Sequence, residues 1–460
     1  MGDEYKIIKR VIKIPVSYHT TDLKLAYLDK LTARFTSCVR LFCSKIEETG
    51  NCSRKTLTEY EKEIAKVTKL SAGFIQQAKD KAIWMYKSYK KLHKRWEYRV
   101  SKMLKNPKFL KEKKDSKFYK KLLRREPSKP GTNSRNKIPI WLDNRTCALK
   151  TDFDFKGPLI KSFKKQITLS NVWLNISTLI KGSRIMIPLN LGKYHLDKLQ
   201  RSNKIVQCEL VKKKKKWYVH MMCEYQIHIP RVNCIRGIDL GISRCVTAVL
   251  LSPGESLRKN DIFVIRDGEK KQKIERFDRL IAKLQTQKRW EHLKEIRQRR
   301  KDYIENYERN LAKQIALQSI GCEISIGYPK YLKSNMYKGN NKRRLRRKLQ
   351  KWAYARMISY ITYACEERGV VVIPTKEYGT SKTCSKCNSQ KTQRPFNGNY
   401  SLFKCDSCGI VLNADINGAI NIGRILMKKL DLSHQGASDE HARTRDDYSY
   451  SSMSLEATDC

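Results

Sequence analysis

The chain has 460 residues and an ordinary apolar share of 40%, enough for two to four domains with a sizeable core, so disorder throughout is excluded. Lys and Arg total 97 against 45 Asp and Glu, a formal charge of +52, and a folded protein with that excess faces a polyanion because the bare charge would repel itself. No stretch approaches the roughly 20 apolar residues of a spanning helix and residues 1–14 do not read as a signal peptide, so nucleic acid rather than a membrane is expected, inside the cell rather than secreted.

Residues 5–17 mix apolar and basic side chains and end in strict alternation (Ile12, Ile14, Val16), which predicts a basic strand. From 21 to about 125 the apolar period becomes helical (Leu25, Leu28, Leu31, Phe35; Ile75, Ala78, Ala82, Met85, Tyr89), broken at 50–53, and predicts a helical bundle. Its aromatics among lysines (Trp84, Tyr86, Tyr89, Trp96, Tyr98) fit either base stacking or core. A Pro/Gly/Ser/Asn linker at 127–136 leads to short strands at 138–142, 167–169, 184–189, 205–212 and 217–225, expected to close into a small β-barrel. The lysine run 212–216 falls between two of these strands, on a hairpin tip. There Lys212, Lys213 and Lys214 either contact phosphate or only keep the hairpin from edge pairing.

Residues 231–251 predict two apolar strands, 268–319 a helical hairpin, 322–326 a buried strand, 342–369 a basic helix turning apolar and 370–373 another buried strand. Strands alternating with helices indicate α/β construction. The tail from 431 is Ser-rich and aperiodic and is expected to be disordered. Most of the fifteen cysteines are scattered singly (Cys38, Cys43, Cys147, Cys208, Cys245, Cys365), which is reduced-thiol usage.

Four cysteines are different. Cys384 and Cys387 form one C-x-x-C pair, and about seventeen residues later Cys405 and Cys408 form another. Two such knuckles close a tetrahedron around a soft d10 ion, so one structural Zn2+ is expected, without an open catalytic position. Acids next to small residues make a second set. Asp239 ends a strand in Gly237-Ile238-Asp239-Leu240-Gly241, where the glycines would admit a phosphate backbone. Asp415 falls in the first turn of a helix that Asn413 can cap. Alone, these read as a turn aspartate and a helix-dipole carboxylate. Together they fit phosphodiester hydrolysis by two hard cations about 4 Å apart, which needs a third acid from a neighbouring strand.

The motifs Gly237-Ile-Asp-Leu-Gly241, Tyr378-Gly-Thr-Ser-Lys-Thr-Cys-Ser-Lys-Cys387, Cys405-Asp-Ser-Cys408 and Asp415-Ile-Asn-Gly-Ala-Ile-Asn-Ile422 resemble those of the TnpB proteins, their eukaryotic relatives the Fanzors, and the type V CRISPR effectors. The resemblance covers the C-terminal half; the N-terminal half matches only in layout. It implies a mixed α/β multidomain protein. A β-barrel wedge domain (1–20 and 131–230) would hold a helical recognition domain (21–130). An RNase H-like, RuvC-like nuclease domain (231–383 and 409–430) would be interrupted by a zinc ribbon (384–408), with a disordered tail (431–460). It also implies an RNA-guided DNA endonuclease, a monomeric ribonucleoprotein of guide RNA and target DNA that reads a short adjacent motif. The alternatives are a nuclease-inactive RNA-guided DNA-binding protein and a zinc-ribbon factor without a guide.

One departure bears on the activity. Where the family places its second acid, this chain has Gly327, in Ile324-Ser-Ile-Gly-Tyr-Pro329. Glu377, after the adjacent strand, matches the relocated glutamate of Fanzors and some TnpB proteins, so Asp239, Glu377 and Asp415 would hold two Mg2+. Glu323 competes but lies roughly 13 Å back along its strand. The relocated acid points to a eukaryote or its virus, hence to the nucleus; otherwise the cytoplasm is expected. The basic run with Lys342, Arg343, Arg344, Arg346 and Arg347 would contact a guide–target duplex, with a nuclear-import signal or a solvated helix face as the other readings.

Overall fold

The structure, a computed structural model, describes residues 4–104, 123–132, 137–151, 172–328 and 354–435, apart from 181, 214, 231, 233, 242–245, 256, 378 and 400. Lys214, Lys342, Arg343, Arg344, Arg346, Arg347, the strand expected at 167–169 and the tail from 436 lie outside the described residues. The chain divides into two compact units, 7–226 and 1–6 with 227–460. No helix among the described residues is long and apolar enough to cross a membrane.

In the first unit β1 (Glu4–Pro15) leads into the helices α1 (Asp22–Thr49), α2 (Arg54–Thr58), α3 (Glu61–Thr68) and α4 (Ala72–Leu104). In α1, Leu28, Leu31, Phe35, Val39, Phe42 and Ile46 recur every three or four residues, and all are fully buried. Phe35 meets Phe74 of α4 edge to face at 6.5 Å. The helix ends where Gly50 takes a left-handed φ of 65°.

Next come β2 (Ile140–Leu142), β3 (Cys147–Thr151), β4 (Val172–Ser177), β5 (Arg184–Pro188), α5 (Lys193–Gln200), β6 (Lys204–Lys213) and β7 (Lys216–Ile229). They form a four-stranded sheet, β1-β7-β6-β2, and a three-stranded sheet, β3-β4-β5. The expected barrel is not found among the described residues. The two sheets share one bridge, Val16 to Leu189, in place of a continuous ladder. Alternation found β2, β5, β6 and β7 but not β3 or β4, and closure depends on which edges pair, which alternation does not encode.

The second unit runs through β8 (Cys234–Asp239), β9 (Val246–Leu251), β10 (Ile262–Ile265), α6 (Gly268–Thr286), α7 (Trp290–Gln318), β11 (Cys322–Tyr328), α8 (Tyr354–Glu366) and β12 (Val372–Lys376). It then continues through β13 (Thr392–Gln393), β14 (Leu402–Cys405), β15 (Val411–Asn413) and α9 (Ala414–Gln435). The main sheet has the order β10-β9-β8-β11-β12. Its β10-β9-β8 half is antiparallel, while β8, β11 and β12 are parallel.

Strand alternation sorts the residues between two faces. On one, Ile238, Leu240, Val246, Ala248, Ile324 and Ile326 form a core with Leu311 and Ile315 of α7 and Met357 and Ile361 of α8. On the other lies α9, whose Ala419 and Ile420 pack with Val249. The backbones approach closely there, because a Cβ on Gly237 would run into Ala419 O and Gly423 N. Gly237 therefore admits the protein's own helix, not the phosphate backbone expected from its sequence.

Candidate active site and four-thiolate centre

The carboxylates gather at the C-terminal end of the parallel strands, on the face covered by α9. Asp239 is the last residue of β8. Register places Thr247 of β9 opposite it on one side, and on the other β11 reaches Gly327, which is itself paired with Thr375 of β12. Two residues beyond Thr375 stands Glu377. A Cβ at Gly327 would start 2.9 Å from Glu377 Cγ and 2.9 Å from Ile422 Cδ1, and would strike Glu377 Oε1. The missing side chain at 327 is thus the space in which the Glu377 carboxyl group lies.

Asp415 reaches the same end from α9. Its backbone N–H donates to Asn413 Oδ1 at 3.0 Å, so Asn413 caps the helix and fixes Asp415 in the first turn. One turn on, the α9 backbone lies against Asp239: a Cβ on Gly418 would be 2.8 Å from Asp239 Oδ2. Glu323, the competing acid, is buried four residues before Gly327, opposite Ile235 rather than near Asp239.

Electrostatics ties the three acids together. Burial, and then the charge of Asp415, raise the Asp239 carboxyl from its ordinary 3.8 to about 7, against a lowering by Arg394. Burial, and then Asp239, raise Glu377 from 4.5 to about 7. Glu377 Oε1 is buried with no hydrogen-bond partner. Desolvated, mutually repelling carboxylates with an orphaned oxygen fit a hard cation, whose ligands are oxygens of this kind. Arg394 lies 3.7 Å from Asp415 Oδ1 and brings a protein cation to this cluster from the loop after β13. Sequence reasoning missed it, since an arginine beside a proline in a loop carries no spacing signal.

The thiolate centre is self-contained. The sulfurs of Cys384, Cys387, Cys405 and Cys408 all lie within 4.8 Å of one another. Cys384 is 3.7 Å from Cys408, and Cys387 is 3.5 Å from Cys405. A tetrahedron with Zn–S near 2.3 Å has edges of about 3.8 Å, whereas a disulfide would need about 2 Å. All four cysteines are free, and the cluster is compatible with zinc. Each knuckle turns through a left-handed residue, Asn388 at φ 59° and Gly409 at φ 70°. Its own core is small: Phe403, the buried sulfurs of Cys384 and Cys405, and Ala414.

Two asparagines one turn apart on α9 join this centre to the sheet. Asn417 accepts from Ser385 N–H at 2.9 Å and donates to Thr383 O at 2.9 Å. Asn421 donates to the carbonyls of Thr380 and Thr383, both at 2.8 Å. Sequence reasoning gave these asparagines no role; their i and i+4 spacing on one helix face is the signal that would have found them.

Among the basic candidates, Lys212 is occupied within the first unit, paired with Asp29 at 2.6 Å and lying over the Trp217 ring. Lys213, at the end of β6, is exposed. On α4, Trp84 and Tyr98 are 62% and 65% exposed while Tyr86 is buried, so the aromatics divide between surface and core.

The fold and the two centres define a class: a mixed α/β multidomain protein with clustered acids over a five-stranded sheet and a four-cysteine module beside them. Comparison with known proteins agrees. The family model "Cas12f1-like, TNB domain" matches residues 354–422, which include all four cysteines, Glu377 and Asp415. The CRISPR-associated endodeoxyribonuclease Cas12f1 of Sulfoacidibacillus thermotolerans is 28% identical over 332 residues, 66% of this chain and 72% of that protein. The TnpB-like protein L79 of Acanthamoeba polyphaga mimivirus is 25% identical over 212 residues, 45% of this chain but 39% of the viral protein. Among solved structures, the mini-RNA-guided endonuclease CRISPR-Cas_phi3 covers 92% of each chain at 11% identity, with a TM-score of 0.42, too low to carry weight. In sequence the chain is thus similar to Cas12f1 and to TnpB-like proteins over these spans.

Proposed function

We propose that this chain is an RNA-guided DNA endonuclease of the Fanzor/TnpB type, cleaving DNA complementary to a bound guide RNA next to a short adjacent motif. The observation that carries the reading is Glu377 lying in the space over Gly327, electrostatically coupled to Asp239, which in turn senses Asp415. The acid missing from β11 is supplied from the end of β12. That placement favours a cleaving enzyme over a nuclease-inactive binder of the same fold.

The second unit would be the RuvC-like domain, with 384–408 as its zinc ribbon. Asp239, Glu377 and Asp415 would hold two Mg2+, which when bound supply Lewis acidity at the scissile phosphate. The chain's own contribution is positional. β8 and β12 fix two acids, the Asn413 cap fixes the third, and α9 seals the sheet beneath them. Arg394 offsets part of their repulsion and brings positive charge to where a phosphate would approach. The excess of +52 supplies guide and target binding through phosphates.

The test uses the purified chain with its copurifying RNA and a matched DNA target. Glu377→Ala should abolish Mg2+-dependent cleavage while guide and target binding stay at the parental level. Cleavage by Glu377→Ala at the parental rate, with Asp239→Ala inactive, would move the third ligand elsewhere. Parental protein that binds its guided target yet cuts with no divalent metal would decide for the inactive binder.

A further inference from the structure

The row of residues beside Asp239 contains a hydroxyl that the reading above does not use. Thr247 is the second residue of β9 and the antiparallel partner of Asp239, so both side chains rise from the same face of the sheet, on strands whose opposed Cβ atoms lie about 5 Å apart. That face is the one α9 covers, as Val249, two residues on, packs against Ala419 and Ile420. Thr247 is 1% exposed, and its Oγ1 is fully buried with no hydrogen-bond partner.

The same row holds a control. Thr375, also buried, lies beyond Gly327, and its hydroxyl is bonded to Ser325 Oγ at 2.7 Å, which in turn donates to Ile422 O at 2.7 Å. One threonine is therefore used to tie β11, β12 and α9 together, while the other is left unsatisfied next to the most strongly desolvated acid of the cluster. Buried hydroxyls in native folds are rarely left so, and beside Asp239 and the equally orphaned Glu377 Oε1 a water or an ion would satisfy this one. A hydroxyl both donates and accepts, which suits the water a magnesium ion retains when carboxylates bind it.

We propose that Thr247 is a positioning residue of the carboxylate site: its hydroxyl anchors the hydration shell of the divalent cation that Asp239 holds. The inference rests on the three-carboxylate reading, and its test separates the two. The full-length chain, loaded with zinc, is titrated calorimetrically with Mn2+ as parent, Thr247→Val, Thr247→Ser and Asp239→Ala, and each is melted in a weak chelator that takes up free divalent cation but leaves thiolate-bound zinc in place.

Thr247→Val, which keeps the shape and removes the hydroxyl, should bind Mn2+ about tenfold more weakly, in the range seen when a group orienting a metal ligand is lost. Its melting temperature in chelator should equal or exceed the parental one, because an orphaned polar atom has been removed. Thr247→Ser should restore the affinity. In cleavage, Thr247→Val should need more Mg2+ for half-maximal rate. Mn2+ affinity within twofold of the parent, or a lower melting temperature in chelator, overturns the proposal by making the hydroxyl idle or merely structural. If Mn2+ binding is absent from the parent or indifferent to Asp239→Ala, the carboxylate reading falls and this inference with it.

Discussion

The thiolate and carboxylate centres lie on either side of one helix and are built on opposite plans. Four sulfurs come from a stretch of 25 residues with almost no core of its own, so the ligands and the fold of the ribbon are one and the same. Three carboxylates come from β8, the end of β12 and α9, positions up to 176 residues apart, on a sheet whose core lies mainly on its other face. On the proposed reading the first centre would need zinc to fold, whereas the second is built by the sheet and α9 themselves.

That contrast breaks most sharply under ligand removal. Cys405→Ser should lose bound zinc, soluble yield, guide binding and cleavage together, since structural zinc contributes on the order of 10 kcal/mol or more to small thiolate modules. Metal analysis beside a melting curve checks it. Asp415→Ala should keep zinc, melting temperature and target binding and lose only the cut. If both variants fail alike in folding, the two centres are not separable as described.

Next in size is the joint between them. Asn417→Ala leaves Ser385 N–H without its partner, while Thr383 C=O still accepts from Asn421, and should cost about 1–3 kcal/mol. Chemical denaturation should show the loss with zinc still bound. Gly327→Ala follows, at about 1–3 kcal/mol from overpacking, and should slow cleavage more than it weakens target binding, because the added methyl displaces Glu377 first.

The smallest effect is in pH. Asp239 and Glu377 titrate near 7 in the folded chain against about 4 unfolded, so the fold binds their protons more tightly. Their stabilising contribution is present below pH 4 and is lost as pH rises through 7. In the same weak chelator the melting temperature should therefore fall between about pH 4 and 7 and level off above, and Glu377→Gln should flatten that slope. A curve rising over the same range would contradict the desolvated cluster.

Legibility followed the same division. The thiolate centre could be read at once, since C-x-x-C spacing is local and the turn that presents the sulfurs is part of the motif. Asp239 and Asp415 were visible as strand-end and helix-start acids, and Glu377 through family resemblance. Thr247 was not visible: Val-Thr-Ala-Val is ordinary strand composition, and its partner is fixed by a register the sequence does not spell out. Gly237 was seen but misread, because a glycine that clears space does not say for whom. The barrel failed for a related reason. Four of its strands were local enough to predict and β3 and β4 were missed, while their closure was a question about edges.

Gly327 and Glu377 also constrain how such a site changes over generations. The pocket at the end of β11 has volume for one acid, and a glutamate at 327 would begin inside the one at 377. A lineage moving its acid from strand to strand cannot add the new one and then discard the old without crowding both. It passes instead through a crowded intermediate, or through a chain with neither acid. Either route starts from the same limit: the room over Gly327 is the room that the Glu377 carboxyl group fills.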